Sequence, residues 1–197
     1  MTALAVSNVV LWVLVLVLSA VVLALTRQLG VLHERIAPAG ALMLNRGLTV
    51  GEAAPVLEVA ALDGRALKIG GAREDGRSTL LLFVSPSCPV CKTLLPAVRS
   101  SRRDERAWLD VILASDGDLA EQREFVRAQG LQSIPYVVSA ALGLAYQVSR
   151  LPFAALIDEQ GVLRARGLVN SREHLESLFE AKRLGVASLQ EYFSGAT

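Results

Sequence analysis

The chain has 197 residues, a formal net charge of +1 and an apolar fraction of 52%. This length suits one domain with a short appendage. The near-neutral charge lacks the concentrated basic face that phosphate binding requires, so we expect no nucleic-acid partner.

The N-terminal stretch predicts a membrane anchor over residues 1–26, followed by a connector over residues 27–50. Met1 to Thr26 contains no charged side chain, and a helix of this length crosses a ~30 Å hydrocarbon core. A cleaved signal peptide is the alternative, but no basic residue precedes Arg27 and no small-residue cleavage site follows the apolar run. We therefore expect a single, uncleaved transmembrane helix.

The orientation of this helix is not decided by charge. Arg27, Arg35 and Arg46 all follow the span, which by the positive-inside rule would leave the rest of the chain in the cytoplasm. Disulfide chemistry favours the opposite side of the membrane. The two signals conflict.

Residues 51–197 have the pattern of a compact α/β domain. An Asp63-Gly64 turn predicts a hairpin at the start of this domain, and a second hairpin and a helix are predicted at its end. The predicted strands are Leu57–Leu62, Ala66–Ile69, Thr79–Val84, Trp108–Ala114, Tyr136–Ser139, Ala154–Ile157 and Val162–Arg166. The predicted helices are Pro89–Arg102, Leu119–Gln129, Leu142–Val148 and Ser171–Leu184. Strands that alternate with helices favour parallel pairing, and the second hairpin adds antiparallel edge strands.

Cys88 and Cys91 are the only cysteines, and they stand where a buried strand pattern gives way to a helix. A thiol at a helix N-terminus is biased toward the thiolate, which is the nucleophile in exchange reactions. We predict that Cys88 attacks and that Cys91, one turn further on, resolves the mixed disulfide. The redox-active disulfide needs no further cofactor.

Other uses of two cysteines are less consistent with the sequence. Zinc requires four ligands, and the two histidines, His33 and His174, lie far away along the chain. No histidine follows Cys91, so the usual signature for haem attachment is absent. Exchange with protein thiols is the remaining interpretation.

The motif Cys88-Pro89-Val90-Cys91-Lys92, followed by Pro96, resembles that of the thioredoxin superfamily. The resemblance implies a thioredoxin-like α/β fold with an extra N-terminal hairpin. It also implies that Pro152 forms the cis-proline loop that pairs with the substrate backbone, with Pro135 as the rival candidate. The chain departs from thioredoxin at Leu82, where thioredoxin has a buried acid.

A closer resemblance extends over nearly the whole chain. The apolar N-terminus, residues 27–30 and 32–35, the Cys88–Cys91 motif and Asn170 to Glu176 resemble the MauD family of methylamine utilisation accessory proteins. This resemblance implies a single-pass protein of the inner membrane with a periplasmic domain. It further implies that the client is the disulfide-rich small subunit of methylamine dehydrogenase, and we expect a membrane or periplasmic redox partner.

The resulting hypothesis is an anchored periplasmic disulfide oxidoreductase or isomerase that assists maturation of that subunit. Two alternatives stay open. One is a membrane-tethered reductase of broader scope, of the cytochrome-maturation type. The other is an assembly scaffold in which the two cysteines have no catalytic role.

Overall fold

A computed structural model of the chain describes residues 6–8, 10–22 and 48–184. The chain divides into two compact units, residues 1–46 and residues 47–197. Most of the predicted connector, residues 27–47, lies outside the described residues, as do residues 1–5, 9 and 23–26 of the predicted anchor.

The described residues of the first unit form one helix, α1, over residues 6–8 and 10–22. Its apolar side chains are exposed, as at Leu11, Leu14 and Leu18. Within the described ranges, none of the helices combines the length and apolar character that crossing a bilayer requires.

The second unit is built on a five-stranded mixed sheet. Its strands are β3 (Ser78–Phe83), β4 (Leu109–Ser115), β5 (Tyr136–Val138), β6 (Phe153–Ile157) and β7 (Leu163–Leu168), in the order β5-β4-β3-β6-β7. The β3, β4 and β5 strands pair in parallel, whereas β6 and β7 are antiparallel to their neighbours. The predicted mixture of pairing directions is confirmed.

The described part of this unit, up to residue 184, contains four helices: α2 (Pro89–Asp104), α3 (Leu119–Ala128), α4 (Ala140–Ala145) and α5 (Arg172–Leu184). The central strand β3 is buried along its whole length because helices or the hairpin cover both faces of the sheet. Leu80 and Leu82 point into a core formed with α2, α3 and α5. Leu81 and Phe83 point to the other face, where α4 packs.

The predicted N-terminal hairpin is confirmed as a separate two-stranded sheet of β1 (Leu57–Ala60) and β2 (Ala66–Ile69). It packs on the α4 face of the main sheet. Tyr146, at the end of α4, is fully buried and donates a hydrogen bond from its hydroxyl to the Pro55 carbonyl at 2.9 Å. This bond connects α4 to the segment that enters β1.

One predicted element is displaced. The helix expected at Leu142–Val148 is α4, which begins at Ala140 and ends at Ala145. It begins earlier because the Ser139 hydroxyl accepts the Leu142 N–H at 3.2 Å and so caps the helix. It ends earlier because Gln147 has a φ of 54°, a left-handed conformation that terminates helices.

Candidate active site

The site is organised by the first turn of α2. Cys88 is the N-cap residue, and its Sγ accepts the backbone N–H of Cys91 at 3.1 Å. Pro89 occupies the first helical position, where the absence of an N–H has no cost. The sulfur of Cys88 therefore lies against the N-terminal dipole of a 16-residue helix, which stabilises negative charge.

Cys88 and Cys91 form a disulfide, with their Cα atoms 5.3 Å apart. Cys88 is half-buried, whereas Cys91 is 0% exposed. An incoming thiolate can therefore reach the sulfur of Cys88 from solvent but not that of Cys91.

Cys91 lies in an apolar environment. It belongs to the core cluster that also contains Leu82, Val84 and Leu95. Leu82, at the position where thioredoxin has a buried acid, is 0% exposed. Apolar surroundings disfavour the thiolate form of a buried cysteine, so the two sulfurs differ in electrostatic environment as well as in access.

Pro152 directly precedes β6. The Leu151–Pro152 peptide bond is cis. Phe153 pairs with Phe83 at the end of β3 that leads to Cys88, so the loop before β6 and the cysteines share one edge of the sheet. The Pro152 carbonyl is occupied, since it accepts the Val169 N–H at 3.1 Å.

The rival proline is located elsewhere. Pro135 precedes β5, and its carbonyl accepts the Leu113 N–H at 2.9 Å. Among the described residues, only the Leu151–Pro152 peptide bond is cis. The assignment of the client-binding role to Pro152 stays a prediction.

An apolar groove of about 340 Å³ opens at the same edge of the sheet. Its floor is formed by the ends of β3 and β4, and its walls are formed by α4 and by the loop that leads to Pro152. Leu144 and Leu151, on its walls, are 68% and 37% exposed. The lining residues are Phe83, Val84, Ala114, Ser115, Asp116, Ser139, Ala140, Gly143, Leu144, Val148, Ser149, Arg150 and Leu151.

This groove and the serines before Cys88 were not predicted from the sequence. The Ser85 hydroxyl lies 2.9 Å from that of Ser87 and accepts the Ser87 N–H at 3.3 Å, while the Ser85 carbonyl accepts the Cys88 N–H at 3.1 Å. The Ser-Pro-Ser sequence is a turn signal that could have predicted this bend. The groove has no such local signal, because its walls come from segments distant in sequence.

In the described ranges, no group of three or more His, Cys, Asp or Glu side chains is arranged to hold a metal ion. His174 lies in the first turn of α5, where its Nδ1 accepts the Asn170 N–H at 3.3 Å. His33 lies outside the described residues.

Comparison with solved structures supports the fold. The thioredoxin domain of a thiol-disulfide oxidoreductase from Bacteroides vulgatus is 17% identical and has a TM-score of 0.57, covering 68% of this chain and 96% of that domain. A peroxiredoxin-like protein from Aquifex aeolicus is 20% identical with a TM-score of 0.56, covering 71% of this chain and 90% of the other. At this level of identity, the likeness shows a thioredoxin-like fold.

Sequence comparison is more specific. Residues 49–182 match the Redoxin family. The methylamine utilization protein MauD of Methylobacillus flagellatus is 50% identical over 186 residues, which is 94% of this chain and 90% of that protein. MauD of Paracoccus denitrificans is 48% identical over 188 residues, covering 95% of this chain and 93% of the relative. The chain therefore belongs to the MauD family of methylamine utilization proteins.

Proposed function

We propose that this protein is a membrane-anchored thiol-disulfide oxidoreductase or isomerase that acts in the periplasm on the small subunit of methylamine dehydrogenase. The observation that carries the proposal is the asymmetric disulfide, with Cys88 accessible at a helix N-terminus and Cys91 buried behind it. The cis-proline loop and the apolar groove beside this disulfide provide a surface for a client chain.

The exchange reaction proceeds in two balanced steps. A client thiolate attacks Cys88 Sγ, the Cys88–Cys91 bond breaks, and Cys91 leaves as a thiolate. A second client thiolate then attacks the client sulfur of this mixed disulfide and releases Cys88 as a thiolate. The client loses two electrons and gains a disulfide, while the protein gains the two electrons as a dithiol. The reverse sequence reduces a client disulfide.

The helix N-terminus assists the second step. The Cys91 N–H that Cys88 Sγ accepts, together with the helix dipole, stabilises the departing Cys88 thiolate. The same groups make Cys88 the attacking nucleophile in the reverse direction. Pro152 positions the client strand, and the groove receives an apolar side chain next to the client cysteine.

The client assignment rests on family membership. The relatives at 44–50% identity are named as methylamine utilization proteins. The client that we infer is the disulfide-rich small subunit of methylamine dehydrogenase, since a protein with many disulfides needs exchange chemistry to reach its correct pairing. A membrane or periplasmic redox partner resets the Cys88–Cys91 pair after each turnover.

Anchoring by residues 1–26 is supported by the uncharged sequence and by the exposed leucines of α1. The periplasmic orientation is supported by the exchange chemistry, because disulfides form and persist outside the cytoplasm. The inner membrane is the compartment that satisfies both requirements.

Trapping tests the proposal directly. Cys91→Ser leaves the Cys88 thiol without a resolving partner, so we expect it to accumulate a mixed disulfide with the small subunit in cells grown on methylamine. Cys88→Ser is the matched control and is expected to trap nothing, because Cys91 is buried. Both variants are expected to lose maturation of the dehydrogenase, measured as active enzyme per cell.

The outcomes separate the alternatives. If the double serine variant matures the dehydrogenase fully, the protein is a scaffold and the exchange proposal is wrong. If Cys91→Ser traps cytochrome-maturation or other periplasmic proteins instead, the protein is a reductase of broader scope.

Topology requires its own measurement. A maleimide that does not cross the inner membrane is expected to label the reduced cysteines in cells whose outer membrane alone has been permeabilised. Because Cys88 and Cys91 are the only cysteines in the chain, any label reports the location of this domain. Labelling that appears only after disruption of the inner membrane would assign the domain to the cytoplasm. The assignment of a periplasmic client would then be wrong.

A further inference from the structure

A second cavity, of about 760 Å³, lies at the far end of α2 from the disulfide. With a rise of about 1.5 Å per residue, the two ends of this 16-residue helix are roughly 24 Å apart. We call it the arginine cavity because five arginines line it: Arg77, Arg99, Arg102, Arg103 and Arg106. The other lining residues are Ala107, Leu109, Asp110 and Ser133. Such a distance excludes these residues from the exchange chemistry at Cys88.

The charge in the arginine cavity is not balanced by its own carboxylates. Asp110 is the one acid in the lining, and it is already paired with Arg77 at 2.8 Å and with Arg73 at 2.6 Å. In the described part of the chain, Arg99, Arg102 and Arg106 form no ion pair. Like charges gathered in a concavity repel one another unless an anion lies between them.

Two of these guanidinium groups donate hydrogen bonds to neutral acceptors. Arg77 donates to the carbonyls of Arg106 and Leu109, each at 2.8 Å. Arg99 donates to the Gln129 carbonyl at 2.7 Å. Arg77 is also paired with Asp110, whereas the bond of Arg99 holds its guanidinium group without neutralising the charge. Preorganised guanidinium forks lose little entropy when a carboxylate binds.

The cavity also contains a donor without an acceptor. Arg77 Nε is buried and has no hydrogen-bond partner among the described residues. A buried donor without an acceptor costs free energy.

Helix capping does not account for the cluster. Arg102 and Arg103 lie in the last turn of α2, where cations interact favourably with the helix dipole. Arg77 precedes β3 and Arg106 follows the helix, so neither belongs to that turn. Arg77 is held in the cavity by Asp110 and by two backbone carbonyls, whereas no ion pair among the described residues involves Arg106.

We propose that the arginine cavity binds an acidic segment of a partner protein. Arginine forks bind carboxylates in bidentate pairs, and a concave site admits an inserted chain, whereas a flat bilayer would contact only its rim. The volume exceeds what one small anion fills and lies in the range of sites that hold larger ligands. A partner bound here leaves the disulfide at the opposite end of α2 free to react.

The experiment measures binding of a fluorescein-labelled hexaglutamate peptide to the full chain in neutral detergent, by fluorescence anisotropy. Arg99→Gln, Arg102→Gln and Arg106→Gln are combined in one variant. The matched control combines Arg123→Gln, Arg127→Gln and Arg172→Gln, which removes the same charge outside the cavity. We expect the cavity variant to weaken binding by about tenfold or more and the control to change it by less than about twofold.

Other observations make the result decisive. Both variants are expected to react with dithiothreitol at the wild-type rate, which verifies the fold and the disulfide. Equal affinities for the two variants, or equal binding of a hexaglutamine peptide, would overturn the proposal. So would binding of inorganic phosphate or citrate without the peptide, which indicates a small-anion site. Displacement of the peptide only by micelles that contain anionic phospholipid would instead indicate a membrane contact.

Discussion

Gly143 offers a direct test of the apolar groove at the edge of the sheet that carries the cysteines. It lies in α4 and lines the groove, and a Cβ atom built on it meets no atom within 4 Å. A phenylalanine at this position would therefore begin in open space at the groove wall and occupy part of its 340 Å³. We expect Gly143→Phe to block entry of an apolar client side chain without disturbing the disulfide.

The magnitude follows from apolar burial. Burying one large aliphatic side chain contributes about 1.5–3 kcal/mol, which corresponds to roughly a 10- to 100-fold change in rate or affinity. Gly143→Ala is the matched control, since a methyl group leaves the groove open. It should also stabilise α4 by about 0.5–1 kcal/mol and raise Tm by roughly 1–4 °C.

The assay compares two synthetic peptide thiols as attackers of the oxidised protein, one with leucine and one with serine on each side of its cysteine. The wild-type protein and Gly143→Ala should both react faster with the leucine peptide. Gly143→Phe should lose this preference while keeping its rate with dithiothreitol. A variant that keeps the full preference would show that the groove is not on the client path. A variant that also reacts slowly with dithiothreitol would show a distorted site.

Three further predictions concern stability. Hydrogen bonding from Lys182, at 2.9 Å, lowers the pKa of Glu159 to about 2; the folded state then gains stability above pH ~4.5 and loses it as pH falls toward 2. In urea titrations, Glu159→Gln should reduce the loss of unfolding free energy between pH ~4.5 and 2. At pH 7 it should lower the unfolding free energy by about 1 kcal/mol or less, since the pair is partly exposed. Burial raises the pKa of Tyr136 to about 12, and its hydroxyl donates to a buried glutamine oxygen at 2.6 Å. Tyr136→Phe should therefore cost about 1–3 kcal/mol at neutral pH and reduce the loss of stability above pH ~10 in the same titrations. Gly161→Ala should lower Tm more than Gly76→Ala does. Both glycines have a positive φ, but of the two only an alanine at 161 would place its Cβ 2.4 Å from a backbone carbon of another loop. Equal costs for the two alanines would contradict this backbone contact.

Local patterns were sufficient to predict most of the domain. The apolar run at Thr79–Val84 predicted the buried strand β3. The predicted helix Leu119–Gln129 is found as α3, where the Asp118 carboxylate accepts the N–H groups of Ala120 and Glu121. These elements carry their signals within a few residues. The position of α4 was less accurate because its start depends on the Ser139 cap and its end on the left-handed conformation of Gln147, which the residue type alone does not predict.

Features that join distant segments were not predictable in the same way. The groove combines the ends of two strands with α4 and the Pro152 loop, and the arginine cavity combines residues near 77, 99–106 and 133. No periodicity relates such positions. Pro152 was selected over Pro135 through a family resemblance and because the strand after Pro135 is short; its isomer state was not predictable, because it depends on tertiary contacts.

The absence of an acid at Leu82 has a consequence for the chemistry of the mixed disulfide. In the reducing direction Cys91 must lose its proton to resolve that intermediate, yet it is 0% exposed among apolar side chains. A proton acceptor must therefore reach it past Cys88, from solvent or from the client itself. Resolution in this direction therefore depends on how closely the client covers Cys88.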